Sequence, residues 1–252
     1  MPLTPSQLLL VGAILLASSV VQGAVGFASG MFATPLLMLI GITLPDSVAI
    51  SMVASALQNI TAAWQLRHQI DYRLALRPML LRFATLPLGV LALFYVGKES
   101  SSAAGQMVGA VVLAIVLVQW AFSVAPRPHL HVAWEWIAFG CGGFLLGLCG
   151  MGGPAMVLWV MAHDWPMRRA KAFLYYIFAT GVPLQALFLW LAFGNEILIA
   201  MLIGLTVFPL VLLGLYFGLY LGRRVSDRTL RRLSLAVLLL IAISALVGPY
   251  WR

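Results

Sequence analysis

Apolar residues in this chain come in long unbroken runs, separated by short stretches that hold nearly all the charge. Runs of about 20 residues match the length of helix needed to cross ~30 Å of hydrocarbon. A lipid-facing barrel strand alternates apolar and polar positions instead, and no such alternation recurs here. Dividing the runs at proline, glycine and polar breakers predicts helical segments over 6–41, 46–65, 78–96, 104–123, 132–162, 172–193, 197–221 and 230–250. Two of these are anomalous. The segment 6–41 would make a helix of about 54 Å at ~1.5 Å per residue, and both it and 132–162 are interrupted near the middle by glycine clusters.

Sliding the chain against itself by 121 to 125 residues brings Gly23 onto Gly147, Gly26 onto Gly150, Pro45 onto Pro166, Ala49 onto Ala170 and Pro87 onto Pro209, with Gly97-Lys98 on Gly222-Arg223. These matches, in order and at nearly one offset, predict two related halves, 1–124 and 125–252. Each half then holds one glycine-broken hairpin (6–41 or 132–162) and three transmembrane helices.

Composition agrees with membrane residence: 63% of residues are hydrophobic and 9% charged, against roughly 25% charged in soluble domains. The net charge of +8 lies in short loops, which makes it a topology signal and not a nucleic-acid surface. Eight full crossings would split the basic residues six against nine. If each glycine break is the tip of a hairpin that turns back, thirteen fall on one face and only Lys98 and Arg252 on the other, as the positive-inside rule expects. Each half then has five segments, so the second is inverted relative to the first and both termini lie outside. The hairpin arms, about 6–22 with 28–41 and 132–148 with 150–162, are mostly shorter than a full span. We therefore expect re-entrant hairpins from opposite faces with tips meeting near the midplane. All eight tryptophans fall near segment ends, where an aromatic belt belongs. The N-terminus lacks the positive stretch of a cleavable signal peptide. Cys141 and Cys149 lie too far apart along one helix to pair.

Broken backbone at membrane depth is tolerated where protein buries it or where it lines a polar cavity. Helices beginning near Ser29 and Gly153 would present unpaired N–H groups and a positive dipole end, which favour an anion. Discontinuous helices of inverted repeats build the substrate sites of many secondary transporters. The candidate substrate-binding residues are therefore Gln22, Gly26, Phe27, Ala28, Ser29 and Gly30 at the first break, and Gly150, Met151, Gly152, Gly153 and Pro154 at the second. Ser55 and Asn59 join them from a polar stripe (Ser51, Ser55, Gln58, Asn59) on 46–65, together with Tyr176 and Thr180, their counterparts in the repeat. Gln185, after Pro183, is a weaker candidate. Interhelical bonding without a ligand explains the stripe equally well, and the pairs Gly143/Gly147 and Gly214/Gly218 fit close helix packing. Arg82 and Lys171 lie near cytoplasmic helix ends, where long cationic side chains snorkel; the other reading is that they draw anions inward.

All seven acidic residues fall in loops or near segment ends, which disfavours a carboxylate-based cation pump. Phe27-Ala28-Ser29-Gly30 superficially matches an intramembrane serine-protease motif, but no histidine lies within an apolar run to activate Ser29. Clustered metal ligands and a phosphate-binding loop are also lacking. The expectation is a non-enzyme without a cofactor: a secondary carrier of a small anion, with an anion channel, a carrier of another small solute or a membrane scaffold as the alternatives.

At the glycine clusters the chain resembles the TauE/SafE family of sulfite exporters, also grouped as toluene-sulfonate uptake permeases. The resemblance covers both halves and is most specific at Gly143-x-x-x-Gly147-x-x-Gly150-Met151-Gly152-Gly153-Pro154. The first-half counterpart, Gly26-Phe27-Ala28-Ser29-Gly30 followed by Pro35, departs from the family's richer glycine run at Ala28 and Ser29. Membership implies transport of sulfite, an organosulfonate or another small sulfur oxyanion across a bacterial inner membrane. The partners are then that solute and the lipid bilayer, with a homo-oligomer left open and no nucleic acid.

Overall fold

A computed structural model describes residues 4–26, 29–98, 101–121, 130–224 and 227–247. Among the described residues the chain is all helical: α1 (Pro5–Val25), α2 (Ser29–Leu39), α3 (Leu44–Gln65), α4 (Tyr72–Val96), α5 (Ser101–Ala121), α6 (Val132–Cys149), α7 (Gly153–Met161), α8 (Met167–Phe193), α9 (Glu196–Thr206), α10 (Phe208–Arg224) and α11 (Asp227–Val247). Five of these are long and apolar enough to cross a membrane, and the bent pair α9–α10 makes a sixth candidate. The starts are written locally. Thr4 caps α1 in a capping box with Gln7, Thr43 caps α3 ahead of Pro45, and the Asp71 carboxylate accepts from the Leu74 N–H at the head of α4.

The anticipated segment 6–41 is two helices and so is 132–162. Both first arms end on a left-handed glycine, Gly26 at φ 93° and Gly150 at φ 72°, a conformation that Cβ-bearing residues resist. The arms are unequal, where most were expected to be shorter than a full span. Helices α1 and α6 have 21 and 18 residues and qualify as spans, whereas α2 and α7 have 11 and 9. Glycine thus ends first arms that are long and apolar enough to count as spans and precedes second arms that are not.

Three other boundaries differ for reasons of proline chemistry. Helix α4 begins at Tyr72, not 78, because Pro78 is carried inside the helix. Helix α8 begins at Met167, not 172, directly after Pro166. The expected single helix 197–221 is instead bent by 50° at Val207, just ahead of Pro209. Proline cannot donate to the carbonyl four residues back, and its ring disfavours helical backbone in the residue before it.

Close backbone approach decides the helix partners. Helix α1 lies parallel to α10: a Cβ on Gly214 would sit 2.6 Å from the Leu16 carbonyl oxygen, and one on Gly222 2.8 Å from that of Ala24. Helix α6 lies parallel to α4 in the same manner, with Gly143 against the Arg82 backbone, Gly147 against Leu86 and Gly89 against Phe144. These glycines serve packing, the small-residue contact that holds helices together where lipid offers no hydrophobic drive. Helices α3 and α8 form an antiparallel central pair. Ala62 and Ala63 at the end of α3 pack on Tyr175 near the start of α8, while Gly97, after α4, sits between Pro45 and Phe193 at the opposite end.

One end of the bundle collects the cations. Arg169 pairs with Asp71 at 3.3 Å and Arg77 with Glu135 at 3.4 Å, placing the starts of α4, α6 and α8 together. Helix α1 runs toward that end, since Gly26 lies beside Lys171, and α6 runs away from it. Trp64, Trp120, Trp134, Trp136 and Trp190 are exposed on the outside of the bundle. Trp159 is the exception to the expected belt. It is buried among Phe139, Trp165 and Phe173, with the His163 ring 4.2 Å away, on the inward side of a turn whose Met161 faces out.

Candidate functional site

The two breaks lie side by side. A Cβ on Gly30, in the first turn of α2, would overlap the Gly150 carbonyl oxygen. Gly150 in turn faces Thr34 and Ser51, whose hydroxyls share a hydrogen bond of 3.2 Å. The first turns of α2 and α7 thereby open onto one cavity, in which the space open to the centre of a water molecule is about 60 Å³. At roughly 10–15 Å³ per water on that measure, it has room for a few waters or one small oxyanion.

Most of the residues singled out at the two breaks meet here. Gln22, Ser29 and Gly30 line the cavity from the first hairpin, Gly150, Met151, Gly152 and Gly153 from the second, and Ser55 and Asn59 from α3. Four others stand outside the lining. Gly26 abuts the Lys171 side chain, Pro154 is buried in the first turn of α7, the Tyr176 ring packs edge-on against Tyr72 at 5.2 Å, and the Thr180 hydroxyl donates to the Ile177 carbonyl of its own helix. Phe27 and Ala28 lie outside the described residues.

The polar wall is braced from within the protein. Gln22 Nε2 donates to Asn59 Oδ1 at 2.6 Å, joining α1 to α3. The Gln58 amide donates to the Ser19 carbonyl at 3.2 Å, and the Gln185 amide to the Leu146 carbonyl at 3.0 Å. Each glutamine thus ties a central helix to the last two turns of a hairpin's first arm. Ser55 bonds only the Met52 carbonyl of its own helix, which leaves its rim position free of interhelical ties.

Arg82 is the departure from expectation. In place of snorkelling it is 1% exposed and lines the cavity together with Phe178, Val182 and Gln185. Its position follows from the start of α4: as the eleventh residue of a helix beginning at Tyr72, it stands about 15 Å along the axis, well inside the bundle and away from the helix start. Nη1 donates to the Ile177 carbonyl, Nε has no hydrogen-bond partner, and Cζ stands 5.8 Å from the Phe178 ring centre. Neither of the ion pairs found among the described residues involves it. A charged side chain at the centre of a membrane-spanning helix costs in general about 2.5–3.5 kcal/mol even on the most lenient scale. The sequence carried a signal for it, a lone charge within Met79-Leu80-Leu81-Arg82-Phe83-Ala84, but a helix starting at Pro78 would have put that charge within reach of the surface.

A protein-family model described as "Sulfite exporter TauE/SafE" matches residues 10–245. No curated protein and no solved structure matches.

Proposed function

Because the chain belongs to the sulfite exporter TauE/SafE family of membrane transporters, we propose that it is a secondary carrier moving sulfite, an organosulfonate or a related small sulfur oxyanion through the cavity between its two helix breaks. The observation that carries this reading is the convergence of the breaks: Gly30 against Gly150, with the first turns of α2 and α7 opening on one polar cavity. Unpaired N–H groups and dipole ends favour negative charge, and two half-helices meeting inside a bundle give a solute access to that backbone. No chemical step is assigned to the site; Ser29 serves as a hydroxyl donor.

The same proposal takes 1–124 and 125–252 as inverted repeats in a bacterial inner membrane, with both termini periplasmic. The exchanged pairing α1–α10 and α6–α4 supports it, as do the opposite directions of α1 and α6. So do the two glutamine braces: Gln58 and Gln185 are 127 residues apart, and so are their acceptors Ser19 and Leu146. The cationic end formed by the starts of α4, α6 and α8 is then cytoplasmic.

The test is radiolabelled sulfite flux into proteoliposomes. Uptake should saturate, accelerate when unlabelled sulfite is trapped on the far side, and fall at least severalfold in Ser55→Leu, which fills the cavity without cutting an interhelical bond. Unitary currents would make the protein a channel. Wild-type flux in Ser55→Leu would remove the cavity from the route.

A further inference from the structure

Resting on the carrier reading above, we propose that Arg82 is the charge-recognition residue of the cavity, that Gly181 is the notch that seats it, and that the site takes small oxyanions bearing one negative charge.

Three observations converge on Arg82. It lines the cavity while 1% exposed. Its Nε is left without a hydrogen-bond partner although the guanidinium is anchored at Nη1 by the Ile177 carbonyl. Among the lining residues it is the one with a charged side chain, the rest being glycine, apolar, hydroxyl or amide side chains. A buried guanidinium without a carboxylate is strongly unfavourable unless something else supplies the opposite charge. The remaining donor edge and the cavity beside it are what an oxyanion requires.

Gly181 gives the seat its shape. A Cβ there would lie 2.8 Å from Cζ and Nη2 and 2.9 Å from Nη1 of Arg82. Any larger residue on that face of α8 would push the guanidinium off the Ile177 carbonyl. The role belongs to the charge, because the three atoms nearest that Cβ position are all at the head of the arginine.

The charge class follows from a comparison of two costs. One cation and one monoanion leave the buried site neutral. A dianion leaves a full negative charge at mid-membrane, facing only amides, hydroxyls and two helix ends. Helix ends stabilise through partial charges, a smaller effect than that of an uncompensated full charge in a bilayer. A sulfonate or hydrogensulfite fits, and a sulfate-type dianion is disfavoured.

The experiment measures binding to the purified full-length protein in detergent by calorimetry, with ligands of fixed charge: methanesulfonate (one negative charge), sulfate (two) and dimethyl sulfone (none). The wild type is expected to bind methanesulfonate roughly tenfold or more tightly than sulfate, and the sulfone not measurably. Arg82→Gln should weaken methanesulfonate by roughly tenfold or more, with Arg82→Lys intermediate because the charge remains without the planar fork. Gly181→Ala keeps the cation but displaces it, so methanesulfonate should weaken while still outranking sulfate. That variant decides the case if Arg82→Gln does not fold. Sulfate binding as tightly as methanesulfonate, or wild-type affinity in Arg82→Gln or Gly181→Ala, overturns the proposal. If Ser55→Leu blocks sulfite flux while the Arg82 and Gly181 variants behave as wild type, this inference fails and the carrier reading stands. Absence of binding by every ligand, together with unaffected flux in Ser55→Leu, removes both.

Discussion

Substituting Gly30 by alanine tests the contact on which the site geometry rests. The new methyl group would overlap the Gly150 carbonyl oxygen, and ordinary van der Waals contact requires one hairpin to retreat by about 1 Å. Inserting a methyl group into close-packed surroundings costs about 1–3 kcal/mol, and alanine's better helix propensity returns at most ~1 kcal/mol. The expected net loss is about 1–2 kcal/mol, or a melting temperature lower by several degrees at roughly 2–4 °C per kcal/mol for a chain of this size. Flux should fall with it, since the retreat opens the junction between the α2 and α7 ends. Gly105→Ala is the matched control: it lies in α5, and nothing stands within 4 Å of its added Cβ, so stability should hold or rise slightly. The assay is a detergent melt followed in intrinsic tryptophan fluorescence, with sulfite flux measured on the same preparations. If Gly30→Ala melts and transports like the control, the two breaks do not touch and the cavity between them has no basis.

Other consequences can be checked with the same preparations. Gly214→Leu should destabilise strongly, because its side chain meets the Leu16 carbonyl oxygen of α1 within 2.6 Å of the Cβ position; a folded, active variant would rule out the α1–α10 contact. Gln58→Leu and Gln185→Leu should each cost about 1 kcal/mol in a melt, and a large disparity between them would argue against equivalent braces. With Cys141 and Cys149 replaced, Lys98→Cys and Asn195→Cys should react with an impermeant maleimide from outside the cell and Gln69→Cys only after lysis. Labelling of all three from one side would dismiss the inverted arrangement.

How much of this was legible from the residues differs by feature. Membrane residence and the positions of the breaks were, because each is a local property: hydropathy sums along a run, and Gly26 and Gly150 mark where a first arm must turn through a left-handed residue. The polar stripe on α3 was visible too, although its partners were not. Nothing in the order of residues says that Gln22 meets Asn59, or that Gln58 and Gln185 donate to carbonyls in other helices. Those bonds depend on the rotation of each helix about its axis and on which neighbour it faces.

Sequence by itself determined an all-helical membrane chain, its family and its two glycine breaks, since partition into lipid and backbone freedom are set residue by residue. Tertiary structure decided the site's charge. Proline at 78 is an ordinary place to begin a helix, and whether the helix instead starts at Tyr72 and carries that proline depends on what packs around it. That one turn and a half moves Arg82 from near a helix start to the inside of the bundle, where Gly181 leaves space for its guanidinium, because burial depends on which helices surround a residue and not on its own hydropathy.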